Sequence, residues 1–171
     1  MRTFLLDTCI WSYWFNPKRQ QHANVKRHLQ KLPPDAVLGI SIITWGEVVY
    51  GHKVQSPKQQ PVQAEYFRFI QGKGAKTFDI DMHTANKYGE LRALLFDRYP
   101  PKGKRKSNLR PEQAVDPVTS RELGIQENDL WITAQAATFN LTLVTNDQKM
   151  KRIRDIAGKS LHIDNWAANV K

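Results

Sequence analysis

Cysteine is almost absent: the lone Cys9 among 171 residues excludes an intrachain disulfide and a thiolate metal cage. A reducing, cytoplasmic compartment is then the simplest setting, with Cys9 read as a small buried hydrophobe. No apolar run approaches the ~20 residues needed to span a bilayer, so no membrane segment is expected. The N-terminal run Phe4-Leu5-Leu6 is broken by Asp7 too early for a secretory signal and reads as structure. The five histidines, at 22, 28, 52, 83 and 162, form no HxH or HExxH pattern, which argues against zinc. Repeats and low-complexity tracts are missing too. Acid is scarce: 16 Asp and Glu against 26 Lys and Arg give a net charge of +10, which points to a polyanionic partner, nucleic acid foremost.

What is present fits one globular domain over residues 1–171, 40% hydrophobic and 25% charged. Thr3 to Leu6 reads as a buried parallel strand ended by Asp7. Ile10, Trp11 and Trp14 follow at helical spacing, and Val25, His28, Leu29 and Leu32 mark an amphipathic helix before Pro33-Pro34. Ala36 to Ser41 reads as a second strand, leading into a helix with Thr44 near its N-cap, Glu47 in about its first turn and Gly51 near its end. A helix over 62–71 presents Phe67 and Ile70. A strand over 76–80 precedes a helix over 82–98 that Asp81 caps and that lines up Ala85, Tyr88, Leu91, Leu94 and Leu95.

Tyr99 to Leu123 reads as a long polar insert, rich in proline, with Lys102, Lys104, Arg105, Lys106 and Arg110 and no acid until Glu112. Asn128 is placed as the N-cap of a helix opened by Asp129, with Ile132, Ala136, Ala137 and Phe139 on its apolar face. Leu141 to Val144 is a short strand that stops at Thr145-Asn146-Asp147, and residues 161–163 form a possible edge strand. Strands alternating with helices give an α/β fold with a mainly parallel central sheet.

Functional sites of such sheets lie at the carboxyl ends of the strands. Asp7, Glu47, Asp129 and Asp147 all fall at that edge in this reading. Each alone reads as a cap or a solvated turn residue. Together they would repel, each close pair by roughly 4 kcal/mol at an effective dielectric near 20, unless a cation compensates them. Oxygen ligands alone select a hard ion, Mg²⁺ or Mn²⁺.

The stretches LLDTCIWSYW (5–14), SIITWGEVVYG (41–51), ENDLWITAQAATFNLTLVTND (127–147) and HIDNW (162–166) resemble the PIN-domain family, in particular the VapC-type toxin ribonucleases of bacterial toxin–antitoxin pairs. The resemblance runs in order over most of the chain. It implies a three-layer α/β/α fold and a metal-dependent endoribonuclease. Asp7, Glu47 and Asp129 take the places of the family's three metal-site acids, Asp147 that of the fourth acid or amide, and Thr145 that of a supporting hydroxyl, with Asn128 beside them. A small cognate antitoxin and a homodimer are implied as partners of the chain, with RNA as substrate. Two departures stand out: Cys9 replaces a usual asparagine, and the 97–127 connection is longer and more basic than the family's. The basic insert is read as a substrate-RNA clamp at the rim of the site, in preference to a disordered ornament.

Two rivals are distinguishable. A phosphatase of the aspartyl-phosphate class needs a second Asp two residues after the first, where Cys9 stands. A non-catalytic basic domain, binding RNA or a protein partner and carrying a vestigial metal site, would bind Mn²⁺ without cleaving RNA. The tryptophans at 11, 14, 45, 131 and 166 could stack on bases, but four or more of them read as packing or an oligomer face, and Trp45, two residues before Glu47, is the one considered for substrate contact.

Overall fold

The computed structural model describes residues 2–101 and 109–168. Strands and helices alternate as β1 (Thr3–Leu6), α1 (Thr8–Phe15), α2 (His22–Gln30), β2 (Val37–Ser41), α3 (Ile42–Lys53), α4 (Gln60–Gly72), β3 (Lys76–Phe78), α5 (Met82–Arg98), α6 (Glu127–Thr138), β4 (Thr142–Val144), α7 (Met150–Ala157) and β5 (His162–Asp164). The sheet has strand order β3-β2-β1-β4-β5. Each ladder with a defined register, β1 with β2, β1 with β4 and β2 with β3, is parallel. The α/β class with a parallel sheet is as the sequence leads one to expect. The chain forms two compact units, one of Met1–Asp79, Thr142–Asn146 and Asp164–Lys171, the other of Ile80–Leu141 and Asp147–Ile163.

In the first unit β1 is central, flanked by parallel neighbours on both sides, and its Phe4, Leu5 and Leu6 are buried, as an apolar run without alternation requires. Ile10, Trp11, Val25, Ile40, Val48, Tyr66, Ile70, Val144 and Trp166 complete the core on its helical side. Gly39 in β2 is needed for close approach: a Cβ there would lie 2.7 Å from Phe78 Cε2 and 3.1 Å from Cδ2. Phe78 is itself buried. Gly39→Ala should therefore destabilise the fold by about 1–3 kcal/mol through overpacking, read as a lower urea midpoint at unchanged slope.

Two element starts differ from the sequence reading. Helix α3 begins at Ile42, because Ser41, the last residue of β2, accepts from Ile43 N–H at 3.0 Å. Thr44 is a buried interior residue rather than a cap, the helix runs past Gly51 to Lys53, and Glu47 sits in its second turn. Helix α6 begins at Glu127, with Gln126 as its N-cap residue, so Asn128 lies inside the first turn.

In the second unit α5 begins as expected, Asp81 accepting from Thr84 N–H at 2.7 Å. Tyr88, Leu91 and Leu95 are buried, joined by Phe96, whereas Leu94 is exposed. Leu130 and Ile132 to Ala136 are all buried, so α6 is enclosed on more than one face, and Phe139 falls outside it.

Of the segment expected as a polar loop, Lys102, Lys104, Arg105 and Lys106 lie outside the described residues. The part that follows is folded. Leu109, Pro111, Ala114, Leu123 and Ile125 are buried, Pro111–Gln113 forms a 3-10 turn, and Val115 bridges Glu122 in antiparallel fashion. Asp116 accepts from Val118 and Thr119 N–H, and Arg152 on α7 donates to it at 2.9 Å. The Thr119 and Val118 amides, with Arg152, hold its carboxyl below the usual range. Arg92 on α5 donates to the Leu109 carbonyl, and Glu127 N–H donates to Glu112 at 3.0 Å, so the segment is fastened at both ends. Among the described residues no helix is long and apolar enough to cross a membrane.

Candidate metal-site acids

Asp7 stands where β1 becomes α1. Its backbone is extended, its amide donates to Val144 of β4 at 3.0 Å, and its carbonyl receives the Ile10 and Trp11 amides at 3.0 and 3.2 Å. The carboxylate caps α1 in the usual way of an N-cap acid, Oδ1 accepting from Thr8 N–H at 2.7 Å. Oδ2 accepts from the Thr145 hydroxyl at 2.7 Å and from Cys9 Sγ at 3.4 Å. Burial raises the Asp7 pKa against these three donors, and the charge of Glu47 pushes the same way. Thr8 Oγ1 donates to Glu47 Oε2, so the first residue of α1 ties the two carboxylates into one local arrangement. The first unit thus brings Asp7, Glu47 and Thr145 together.

Cys9 is only half-buried and takes a polar role, contrary to its reading as a plain hydrophobe. Its thiol donates to Asp7 and accepts from Asn146 N–H at 3.5 Å. Burial, with the nearby Asp7 charge, pushes it up to about 12, so it serves as a weak neutral donor and not as a thiolate. Asn146 accepts from Asn165 at 2.9 Å and reaches Tyr13 Oη at 3.4 Å, which fixes the turn carrying Thr145. Thr8, Asn146 and Asn165 carry little signal of their own in the sequence beyond the Thr-Asn-Asp turn and the Asp-Asn pair near the end.

In the second unit, Asp129 is the third residue of α6 and Asp147 lies just before α7. Asp129 Oδ2 accepts from Gln126 N–H at 2.7 Å, one half of a capping box. Asp147 Oδ1 accepts from Lys149 N–H at 2.9 Å. Lys149 Nζ lies 3.1 Å from Asp147 Oδ2 and 3.9 Å from Asp129 Oδ2, so these two acids share one ammonium. Asn128 follows Glu127, whose carboxylate accepts from Tyr88 Oη; Arg92 donates to the same phenol at 2.8 Å. Burial and that bond to Glu127 push the Tyr88 phenol up to about 12. Among the described residues no group of three or more His, Cys, Asp or Glu side chains is gathered closely enough to hold a metal ion. Arg110 is exposed at the head of the 3-10 turn. Trp45 packs on Phe67 with ring centroids 4.3 Å apart, at the margin of the core.

A parallel α/β sheet with an acid at the carboxyl end of its central strand, and a second acid on the helix after the next strand, defines the class of the fold. The sequence matches the PIN domain over residues 4–156, and the chain belongs to that family. Among solved structures it is similar to VapBC2 from Rickettsia felis bound to a DNA fragment from their promoter, at 26% identity over 96% of this chain and 98% of the other, TM-score 0.65. It is similar also to VapBC-1 from nontypeable Haemophilus influenzae, at 19% identity over 97% and 99%, TM-score 0.67. DNA-bound VapBC from Salmonella typhimurium aligns at 23% identity over 97% and 99%, TM-score 0.63. No curated protein sequence matches. The expected family is therefore the right one, and it is a family of nucleases in which toxin–antitoxin proteins figure.

Proposed function

We propose that this chain is a divalent-metal-dependent endoribonuclease, the toxin of a toxin–antitoxin pair, which uses Asp7, Glu47, Asp129 and Asp147 as metal-holding acids. The observation that carries the reading is Asp7: a half-buried carboxylate beside a second one, with its pKa raised and, among the described residues, no cationic partner in its hydrogen bonds. Such a group is short of positive charge, which is what a hard cation supplies. The donor set fits Mg²⁺ or Mn²⁺, because the oxygens are carboxylate oxygens and the one nearby sulfur is held protonated. A bound ion of this kind lowers the pKa of a coordinated water and offsets charge growing on phosphate oxygens.

The chain's own residues do the rest. Thr145 and Thr8 orient the Asp7 oxygens, and Thr8 fixes Glu47, so that neither acid has to reorganise when substrate arrives. Lys102, Lys104, Arg105, Lys106 and Arg110 draw the RNA backbone toward an acidic centre that alone would repel it. The partners of this reading are an RNA substrate, a cognate antitoxin and a second copy of the chain, in the cytoplasm.

The test is cleavage of a mixed RNA pool by the purified chain with Mn²⁺ or Mg²⁺, and its disappearance with EDTA. Cleavage that survives chelation would sink the metal mechanism. The second reading, a basic binding domain with a vestigial metal site, is favoured by the engagement of Asp129 and Asp147 with Lys149. It predicts RNA binding without cleavage under every metal condition.

A further inference from the structure

We propose that Lys149 is a built-in counter-cation for Asp129 and Asp147, one that a divalent metal has to displace, and that it thereby sets how tightly this chain holds metal. The inference rests on the reading above that these acids hold metal. Its basis is geometric. The ammonium meets Asp147 Oδ2 at 3.1 Å and Asp129 Oδ2 at 3.9 Å, and it donates to the Gly124 carbonyl at 2.9 Å. The ammonium thus has one carbonyl as a hydrogen-bond acceptor and two carboxylates at ion-pair distance.

Those groups come from three separate places: the turn after β4, the first turn of α6, and the end of the folded insert. The root of the side chain is held as well, since Lys149 N–H donates to Asp147 Oδ1 at 2.9 Å. Gly124 makes room for the stem: its φ is +69°, and a Cβ there would come 3.3 Å from Lys149 Cδ. A solvated surface lysine pays side-chain entropy to hold a single partner, and such pairs contribute little. Here one lysine is drawn against two acids and a carbonyl, which localises its charge between the acids.

That charge has two consequences. A divalent ion coming to Asp129 and Asp147 meets an ammonium already neutralising them, so its affinity is lower than the two carboxylates alone would give. A bound divalent ion would repel the ammonium, which its bond to the Gly124 carbonyl ties to the end of the insert. Metal occupancy and the end of the basic insert are thereby coupled through one side chain.

The experiment is calorimetric titration of Mn²⁺ into the intact protein at low ionic strength, for wild type, Lys149→Met and Lys149→Arg. Lys149→Met should bind Mn²⁺ about tenfold more tightly, the loss of one nearby positive charge in a partly exposed setting. Lys149→Arg, which keeps the charge, should stay within about twofold of wild type, and the difference between Met and wild type should shrink as salt is raised. Unchanged or weaker binding by a folded Lys149→Met, verified by circular dichroism, overturns the proposal while leaving the metal reading standing. Should that variant not fold, Lys149→Gln is judged by the same criterion. Absence of Mn²⁺ binding in wild type overturns both.

Discussion

Asp7→Asn is expected to lower RNA cleavage by about 10²–10³-fold and at the same time to make the metal-free protein more stable. The two effects share one cause. Burial raises the Asp7 pKa above its ordinary 3.8, so the native state binds more protons than the unfolded state between that value and the raised one. Stability contributed by this group therefore falls as pH rises through the window, and above it the ionised carboxylate is a standing cost. Asparagine removes the cost, keeps an oxygen for Thr8 N–H, and leaves Thr145 free to turn its hydroxyl.

A gain of about 1 kcal/mol at neutral pH, roughly 2–4 °C in Tm, is the expected result, with a flatter stability profile from pH 4 upward. Adding Mn²⁺ should reverse the order, since a ligand at 100 times its Kd stabilises by about 2.7 kcal/mol and Asp7→Asn would gain little of that. Melting curves of both proteins with and without Mn²⁺ check this. A variant less stable than wild type at pH 7 without metal would contradict the assignment of Asp7 as a strained, functional carboxylate.

Asp7 was legible in the sequence for a simple reason: an apolar run that ends abruptly on an acid is a buried strand reaching its carboxyl edge. The same logic placed Thr145 after β4 and Glu47 after β2. It failed where side chains cross-compete for a role. Ser41 reads as the end of a strand, yet its hydroxyl also caps α3, so the helix starts three residues before Trp45. Asn128 is the better N-cap by preference, but Asp129 reaches back to Gln126 N–H and moves the start of α6 to Glu127.

Helix α7 leaves little periodic signal in the sequence, because its buried residues are only Met150 and Ile153, set among lysines and arginines. The folded stretch after Leu109 has no period to read: Leu109, Ala114, Leu123 and Ile125 are buried singly, at no sustained helical or strand spacing. The grip of Lys149 on three separate groups is a property of the fold and leaves no local pattern at all.

Trp166→Ala is expected to cost about 3–5 kcal/mol, a large share of the 5–15 kcal/mol that holds a domain together. The ring is 1% exposed, lies 5.2 Å from Phe4 of β1 between centroids and stacks on His28 at 5.9 Å, and its Nε1 donates to Asp164 at 2.8 Å. Removing it opens a cavity under the strand that ends in Asp7. The neighbouring Asn165 amide, which donates to Asn146 and thereby steadies the Thr145 turn, would lose its anchorage with it. Trp166→Phe separates the contributions: it keeps much of the apolar volume and gives up the indole donor, for which about 1–2 kcal/mol is expected. Urea unfolding of the two variants measures the difference. If Ala and Phe cost the same, the indole hydrogen bond rather than the packing under β1 is what Trp166 supplies, and the aromatic buttress assigned to it is wrong.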